Sequence, residues 1–309
     1  MSREFDRIAR LRAIFAGEHR GVVLGIGDDA AILAGDAVAS GAVLSTDAVI
    51  EDVHFRRAWI GQGVTWRDVA YRAAAAALSD LAAMGAEPRA MLTSWAFPRD
   101  LGDDVVDEIA RGFRDAADVY GAPVIGGNLA RGREIALTTT VIGAAPVRVP
   151  RRDGAKPGDV LWVTGALGEA ALGLAALEGG IAAEAAPFVT RFVRPPSRIE
   201  AGRFAAGSAH AMIDVSDGLL QDLGHLCEAS GVGARIDALE PTPEADALAR
   251  RLGVDARALI ESGGDDYELL IASPADVDLS SIARRIGEIT REPGIVGART
   301  TRAGFDHFE

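Results

Sequence analysis

The chain has 309 residues, of which 49% are apolar, and a formal net charge of −13 at pH 7. This length allows a substantial core and favours two domains of roughly 150 residues. The negative charge argues against nucleic acids and anionic membranes as partners, because both require a basic surface. The sequence shows neither a signal-peptide pattern nor an apolar run long enough to span a membrane, so we expect a soluble, cytoplasmic protein.

Two rare residue types narrow the possible chemistry. Cys227 is the only cysteine, which excludes an intramolecular disulfide and a cysteine metal cluster. Lys156 is the only lysine, and Pro157 follows it. Neither a Walker-type phosphate loop nor the strand lysine of a protein kinase fits that context. Any phosphoryl chemistry must therefore rest on metal ions and arginine.

The first elements decide how a glycine-rich motif at 25–30 is interpreted. Apolar residues at helical spacing predict a helix over 4–16, and a strand follows at 22–24. The motif satisfies the dinucleotide-binding fingerprint, which requires a helix directly after the glycines. The stretch that follows predicts a pair of strands instead, which argues against a dinucleotide-binding fold.

The rest of the N-terminal half alternates strands and helices. The predicted elements are a strand at 42–49, a helix from Thr65 to Met84 with Asp68 as capping partner and Gly85 as its stop, a strand at 90–97, a helix at 103–120, and strands at 122–125 and 135–144. The strand at 122–125 is expected to end in a Gly126-Gly127-Asn128 turn. The segment 146–157 is rich in proline and arginine, which places the domain boundary there and predicts domains of 1–147 and 148–309.

The C-terminal half continues the same alternation. The predicted elements are a strand at 160–164, a helix at 167–178, two further helices before Arg194, a buried strand at 211–215, a helix at 219–229, and strands at 233–238, 267–272 and 286–289. The strand at 211–215 delivers two aspartates and a serine to the start of a helix. Such a helix N-terminus can hold an anion or a metal-bound phosphate.

Aspartates recur at the ends of these elements and at glycine turns. They are Asp28, Asp29, Asp47, Asp80, Asp214, Asp217, Asp265 and Asp266. Each one alone is typical of a turn or cap, but carboxylates that converge on one site repel each other unless cations neutralise them. Oxygen-only ligands indicate magnesium. The histidines show no zinc spacing, and no nucleophile elbow supports a hydrolase.

Several motifs, in order along nearly the whole chain, resemble the thiamine-monophosphate kinase family. They lie at 25–30, 45–55, 78–86, 213–219, 262–269 and 304–308. The resemblance implies an α/β (α+β) fold of the aminoimidazole-ribonucleotide-synthetase type, with two domains and a homodimer formed through the N-terminal sheets. It also implies ATP-dependent phosphorylation of thiamine phosphate to thiamine diphosphate, with several Mg²⁺ ions.

The resemblance further implies the roles of individual residues. The implied metal ligands are Asp29, Ser45, Thr46, Asp47, Asp80, Asn128, Asp214 and Asp217. The implied nucleotide contacts are Gly127, Asn128, Ser216 and Arg152, and catalysis is expected to depend on Arg152, Asp47 and Asp217. The implied substrate contacts are His54, Asp265 and Phe305.

Three of these residues depart from the family pattern. Asn128 stands where the family has aspartate, Asp265 where glutamate is usual, and Phe305 where tyrosine or tryptophan is usual. The asparagine removes a charge from the implied metal site. The shorter Asp265 loses one methylene of reach, and Phe305 keeps a ring that can stack but has no polar group.

Two alternatives remain open. A catalytically silent metal- or nucleotide-binding paralogue is favoured by Asn128. A selenophosphate synthetase would share the fold, ATP and magnesium, but it resembles proteins with a reactive Cys or Sec and a lysine near the N-terminus. Here Cys227 lies in the C-terminal half, and the first fifty residues contain no lysine.

The acceptor implied for the kinase is a phosphate oxygen, which is already largely ionised near neutral pH. No strong general base is therefore needed. Positioning and charge neutralisation would be enough for a direct in-line transfer.

Overall fold

The computed structural model describes residues 3–24, 32–237 and 239–300. The chain packs as two compact units, Met1–Leu81 with Glu87–Ala145, and Ala82–Ala86 with Pro146–Glu309. The sequence did not predict that Ala82–Ala86 would pack with the second unit. No helix in the described residues has both the length and the apolar character needed to cross a membrane.

The first unit is built on a four-stranded sheet with the order β3-β6-β4-β5. Its strands are β3 (Ala42–Ile50), β4 (Glu87–Phe97), β5 (Val124–Arg131) and β6 (Ala136–Ala144). The pairing is antiparallel except between β4 and β5. Its helices are α1 (Arg3–Ile14), α2 (Trp66–Ala83) and α3 (Asp103–Tyr120). β1 (Val22–Leu24) and β2 (Ile32–Leu33) form a separate antiparallel pair, so a strand, not a nucleotide-binding helix, occupies residues 32 and 33.

Helices α2 and α3 cover one face of this sheet. The Phe113 ring of α3 lies 5.2 Å from the Trp95 ring of β4, measured between centroids. A Cβ on Gly112 would meet the Arg67 carbonyl oxygen at 2.2 Å, so glycine allows α3 to approach α2 closely. The predicted capping pair is present at the start of α2: the Thr65 amide donates to Asp68 (2.9 Å) and the Asp68 amide donates to the Thr65 hydroxyl (3.2 Å).

The opposite face of the four-stranded sheet is only half-covered in the described chain. Leu44 is 63% exposed, and Leu92 and Ile142 on the neighbouring strands are half-buried. These three residues share one face because the β-strand period is two and the register pairs Leu44 with Ile142. We call this the open face.

The second unit contains a six-stranded sheet with the order β12-β9-β11-β7-β10-β8. Its strands are β7 (Val160–Val163), β8 (Ala211–Val215), β9 (Gly233–Ile236), β10 (Glu268–Ser273), β11 (Arg284–Thr290) and β12 (Gly294–Val296). Its helices are α4 (Glu169–Glu178), α5 (Ala186–Val193), α6 (Ile199–Ala206), α7 (Leu219–Ser230), α8 (Pro243–Leu252) and α9 (Ala256–Ser262). In this sheet, only β12 and β9 pair in parallel. Because most strands of both sheets pair in antiparallel fashion, α+β describes the fold better than α/β.

The core of the second unit lies between this sheet and α7. Val215 and Leu270 of the sheet and Leu219, Leu223 and Leu226 of the helix are fully buried in one cluster. This packing anchors the junction between β8 and α7, where the sequence places Asp214, Ser216 and Asp217.

Most predicted elements lie within a few residues of their observed bounds, but β5 differs in kind. The strand continues through Gly126, Gly127 and Asn128 to Arg131, whereas a turn was predicted there. Pairing with β4 supplies the backbone hydrogen bonds that hold these glycines in a strand. A Cβ on Gly127 would meet the Thr93 carbonyl oxygen at 2.0 Å, so glycine is needed for this close approach.

Candidate active site

Ser45 and Asp47 of β3 and Asp80 of α2 form the polar cluster of the first unit. The Ser45 hydroxyl donates a 2.5 Å hydrogen bond to Asp80 Oδ2. Asp47 follows Ser45 by two residues, so both side chains lie on the sheet face covered by α2, about 7 Å apart along the strand. The Ala48 amide donates to Asp47 Oδ1 at 2.6 Å. The structure thus joins the predicted residues Ser45 and Asp80 by a hydrogen bond and places Asp47 on the same face of the sheet.

Buried hydroxyls continue this cluster across the sheet. Asp47 is paired with Thr139, and Thr139 with Thr93, so all three residues lie on one face. Thr139 is fully buried, and its hydroxyl has no hydrogen-bond partner among the described residues. A buried polar atom without a partner is costly, which points to a ligand or water beside Asp47. The sequence does not predict Thr139 as a site residue, because the stretch Thr138-Thr139-Thr140 is typical of any strand.

Thr46 and Asn128 lie on the open face instead. The Thr46 hydroxyl bonds to the Thr140 hydroxyl (3.1 Å) and the Thr139 carbonyl oxygen (3.2 Å). Asn128 is paired with Ser94 on the far edge strand. Three strand spacings, about 14 Å, separate β3 from β5. Within one chain, the structure therefore does not bring the side chains of Thr46 and Asn128 together with each other or with the pair Asp47 and Asp80.

His54 lies in a tight turn that follows β3. Its Nδ1 accepts the Ile50 amide at 3.1 Å, so in the neutral ring the proton is on Nε2. Arg57 makes a bidentate ion pair with the buried Glu51, whose carboxylate also accepts the Ile135 amide at 2.9 Å. Asp52 has a positive φ of 63°. The hydrogen bonds of Glu51 support the turn, and the Ile50 amide orients the His54 ring.

The junction between β8 and α7 carries the acids of the second unit. Asp214 is buried with 4% exposure, and the Gln221 amide group donates to Asp217 Oδ2 at 3.0 Å. Ser216 lies between these aspartates, in the turn that leads into α7. The predicted set therefore lies at one junction, with Asp214 in β8 and Ser216 and Asp217 in the turn that follows it.

A third acid, Asp222, lies beneath this turn and was not predicted. Its Oδ2 accepts the backbone amides of Ser216, Asp217 and Gly218, each at 3.1 Å. Burial, together with the neighbouring charges of Asp214 and Asp217, raises the pKa of Asp222 to about 7, and the amide hydrogen bonds oppose that rise. The available signal was an acid in the first turn of the helix that follows Gly218.

The turn that carries Asp265 packs directly on the turn at 214–218. The Asp265 amide donates to the Ser216 carbonyl oxygen (2.8 Å), and the Tyr267 amide donates to the Val215 carbonyl oxygen (2.9 Å). The Tyr267 hydroxyl reaches Asp265 Oδ1 at 3.2 Å. The proposed substrate residue Asp265 is therefore adjacent to the acidic turn.

The next acid, Asp266, is used within the fold. It is 5% exposed, and its carboxylate accepts the Gly168 amide (2.6 Å) and the Ala170 amide (3.2 Å) at the start of α4. Burial raises the pKa of Asp266 well above its usual range, although the two amides favour the charged form. Asp266 is therefore a buried helix cap, not a member of the acidic cluster.

Arg152 lies at the far end of α7 from Asp217. The Ser230 hydroxyl donates to the Arg152 carbonyl oxygen at 2.7 Å, and Ser230 is the last residue of α7. A 12-residue helix is about 18 Å long. The structure therefore separates the Arg152 main chain from the turn at 214–218 by roughly this length.

The donor atoms of both acidic clusters suit magnesium in kind, because all of them are oxygens. No group of three or more His, Cys, Asp or Glu side chains in the described part of the chain could hold a metal by itself. In the first unit, Asp47 and Asp80 would need further oxygens, and Ser45 and the unpartnered Thr139 hydroxyl lie on their side of the sheet. Asp29 and Phe305, two other predicted site residues, lie outside the described residues.

Comparison with known proteins identifies the family of the chain. The family model "AIR synthase related protein, N-terminal domain" matches residues 27–145, and the corresponding C-terminal domain model matches residues 156–301. The thiamine-monophosphate kinase of Escherichia coli K12 is 38% identical, with 99% of this chain and 98% of that protein covered. The thiamine-monophosphate kinase of Mycobacterium tuberculosis H37Rv is 39% identical over 81% of this chain and 74% of that protein.

Solved structures show the same similarity. The thiamine-monophosphate kinase of Stenotrophomonas maltophilia K279a has a TM-score of 0.82 and 34% identity, with 95% of this chain and 96% of that chain covered. The complex of AaThiL with AMPPCP and TMP has a TM-score of 0.79 and 29% identity over 86% of this chain and 87% of that chain. The chain therefore belongs to the thiamine-monophosphate kinase family of AIR synthase related proteins.

Proposed function

We propose that this chain transfers the γ-phosphoryl group of ATP to thiamine phosphate, which yields thiamine diphosphate and ADP. The observation that carries the proposal is the match to a thiamine-monophosphate kinase over 99% of this chain. The related complex with AMPPCP and TMP supports a nucleotide and thiamine phosphate as the two substrates.

We also propose that magnesium binds at both acidic clusters. Ser45, Asp47 and Asp80 would hold it in the first unit, and Asp214 and Asp217 in the second. Thr46 and Asn128 are also proposed as magnesium ligands, but their side chains lie on the open face of the sheet, away from Asp47 and Asp80. The chemistry that bound magnesium supplies is neutralisation of the phosphate charges. The chain's own residues orient the site: Ser45 holds Asp80, and Gln221 holds Asp217.

The acceptor side is proposed to comprise His54, Asp265 and Phe305. The Tyr267 hydroxyl orients Asp265, and the Ile50 amide orients the His54 ring. A phosphate oxygen needs no deprotonation by a strong base, so these residues would position the acceptor for direct in-line transfer. Gly127, Ser216 and Arg152 are proposed to contact the nucleotide. Because Arg152 lies a helix length from Asp217, we assign it to nucleotide binding and not to the transferred group.

We further propose that the chain forms a homodimer through the open face. An exposed Leu44 with half-buried Leu92 and Ile142 is the kind of apolar sheet face that another sheet covers. Size-exclusion chromatography with light scattering tests this: a mass of one chain at micromolar concentration would contradict the dimer.

The deciding experiment mixes the protein with ATP, magnesium and thiamine phosphate and measures thiamine diphosphate by chromatography. Product formation that is abolished by EDTA is the expected result. Binding of nucleotide without product would favour the silent paralogue, for which Asn128 is the supporting observation. Selenide-dependent ATP consumption without thiamine phosphate would favour a selenophosphate synthetase.

A further inference from the structure

Asp222 is a buried acid that the proposed mechanism does not use. It is 3% exposed, one turn into α7, and its Oδ2 accepts three backbone amides at 3.1 Å. Three donors fill the hydrogen-bonding capacity of this oxygen. Among the described residues, Oδ2 therefore bonds only to backbone amides at the junction of β8 and α7, beside Asp214 and Asp217.

The same peptide groups link Asp222 to the neighbouring turn. In a trans peptide the N–H and the C=O point in opposite directions. The amides of Ser216 and Asp217 point at Asp222, so the carbonyls of Val215 and Ser216 point away from it. Those two carbonyl oxygens accept the Tyr267 amide (2.9 Å) and the Asp265 amide (2.8 Å). Two peptide groups therefore connect one carboxylate to both turns.

The turn that carries Asp265 and Tyr267 depends on hydrogen bonds to the neighbouring turn. Asp265 and Tyr267 have positive φ values of 68° and 50°, which are unfavourable for residues other than glycine and persist only where surroundings hold them. The backbones of the two turns also touch. A Cβ on Gly264 would meet the Ser216 carbonyl oxygen at 2.5 Å, and one on Gly218 would meet the Ser262 carbonyl carbon at 2.8 Å.

We propose that Asp222 is a positioning residue that fixes the metal-side turn at 214–218 and, through it, the acceptor-side turn at 263–267. The effect that this positioning has on catalysis rests on the proposed kinase activity. In that activity a magnesium-bound nucleotide lies on the metal-side turn and thiamine phosphate on the acceptor-side turn. Loss of Asp222 then affects both substrates at once, although its carboxylate touches neither of them.

The first test is hydrogen exchange in the substrate-free protein, read by mass spectrometry. In Asp222→Ala we expect faster exchange at 216–218 and also at 265–267, because the amides at 265 and 267 lose their fixed acceptors. Asp222→Asn keeps an amide oxygen that can accept the three amides more weakly, so it should show smaller increases in the same two segments. A change confined to 216–218 and the first turn of α7 in both variants, with wild-type exchange at 265–267, would reduce Asp222 to a local cap and overturn the proposal.

The second test is kinetic. Substitution of a residue that orients the ligands of a metal site typically lowers metal affinity or activity about 10- to 100-fold. Asp222→Ala should therefore lower kcat/KM by about that factor. It should also raise both the magnesium concentration for half-maximal activity and the KM for thiamine phosphate, with partial rescue in Asp222→Asn. Wild-type values for all three quantities in Asp222→Ala would contradict the proposal.

Thr242→Ala is the matched control. Thr242 caps α8 of the same unit by accepting the Ala245 amide at 3.1 Å, so its loss removes a cap without touching either turn. We expect a lower melting temperature and unchanged exchange at 265–267. If the wild-type chain formed no thiamine diphosphate, the proposed kinase function would fail, but the exchange test would still decide the positioning role, since it uses no substrate.

Discussion

Gly264→Ala tests whether contact between the two turns of the second unit supports activity. The added Cβ would lie 2.5 Å from the Ser216 carbonyl oxygen, whereas ordinary contacts begin at 3.4 Å, so the turns must separate by about 0.9 Å. Overpacking of this kind costs about 1–3 kcal/mol of folding free energy. A displacement near 1 Å can also lower the rate about 100-fold when it misplaces reacting groups.

The assay for Gly264→Ala combines urea unfolding with the kcat/KM for thiamine phosphate. Gly224→Ala is the control, because Gly224 lies inside α7 and a Cβ there meets nothing within 4 Å. Alanine at that helix position should stabilise the fold by about 0.5–1 kcal/mol and leave activity unchanged. If Gly264→Ala kept both wild-type stability and wild-type kcat/KM, the inferred contact between the turns would be refuted.

Three further predictions concern charge and burial. Asp47→Asn or Asp217→Asn should lower phosphoryl transfer at least about 100-fold by removing a charge from a proposed metal site, with circular dichroism unchanged; near wild-type turnover would remove that residue from the metal site. Arg152→Ala should raise the KM for ATP and leave kcat within about threefold, because loss of uniform binding acts on KM; a kcat loss of 100-fold would place Arg152 at the transferred group. Burial raises the pKa of Cys227 from 9.0 to about 11, so its thiolate is about 100-fold scarcer at pH 8 than in the unfolded chain. Iodoacetamide should therefore label the folded protein at least that much more slowly than the urea-unfolded protein, and faster as the pH rises towards 11; equal rates in both states would contradict the burial.

Much of the site could be predicted because its residues are close in sequence. Asp214, Ser216 and Asp217 follow a buried strand and precede a helix, so local structure alone gathers them at one junction. The capping pair Thr65 and Asp68 was likewise predictable, since an N-cap and its partner lie within one helical turn.

Other features could not be predicted because they depend on partners distant in sequence. Gly126, Gly127 and Asn128 were predicted to form a turn, but pairing with β4 draws them into β5. The pairing of β3 with β6 likewise places Thr139 beside Asp47, although the two residues are 92 positions apart in the chain. No local pattern distinguishes Thr139 from its neighbouring threonines.

The sequence by itself determined the types of donor atom, the absence of a lysine-based phosphate loop and the family to which the chain belongs, because these depend on residue identity and order. Only the tertiary structure decided which side chains meet. Strand alternation separates Thr46 from Ser45 and Asp47, although the three are consecutive. The length of α7 separates Arg152 from Asp217, while backbone hydrogen bonds bring Asp265 to Ser216 and let Asp222 hold both turns. Register, helix length and peptide orientation are properties of the folded backbone, so residue identity alone could not supply them.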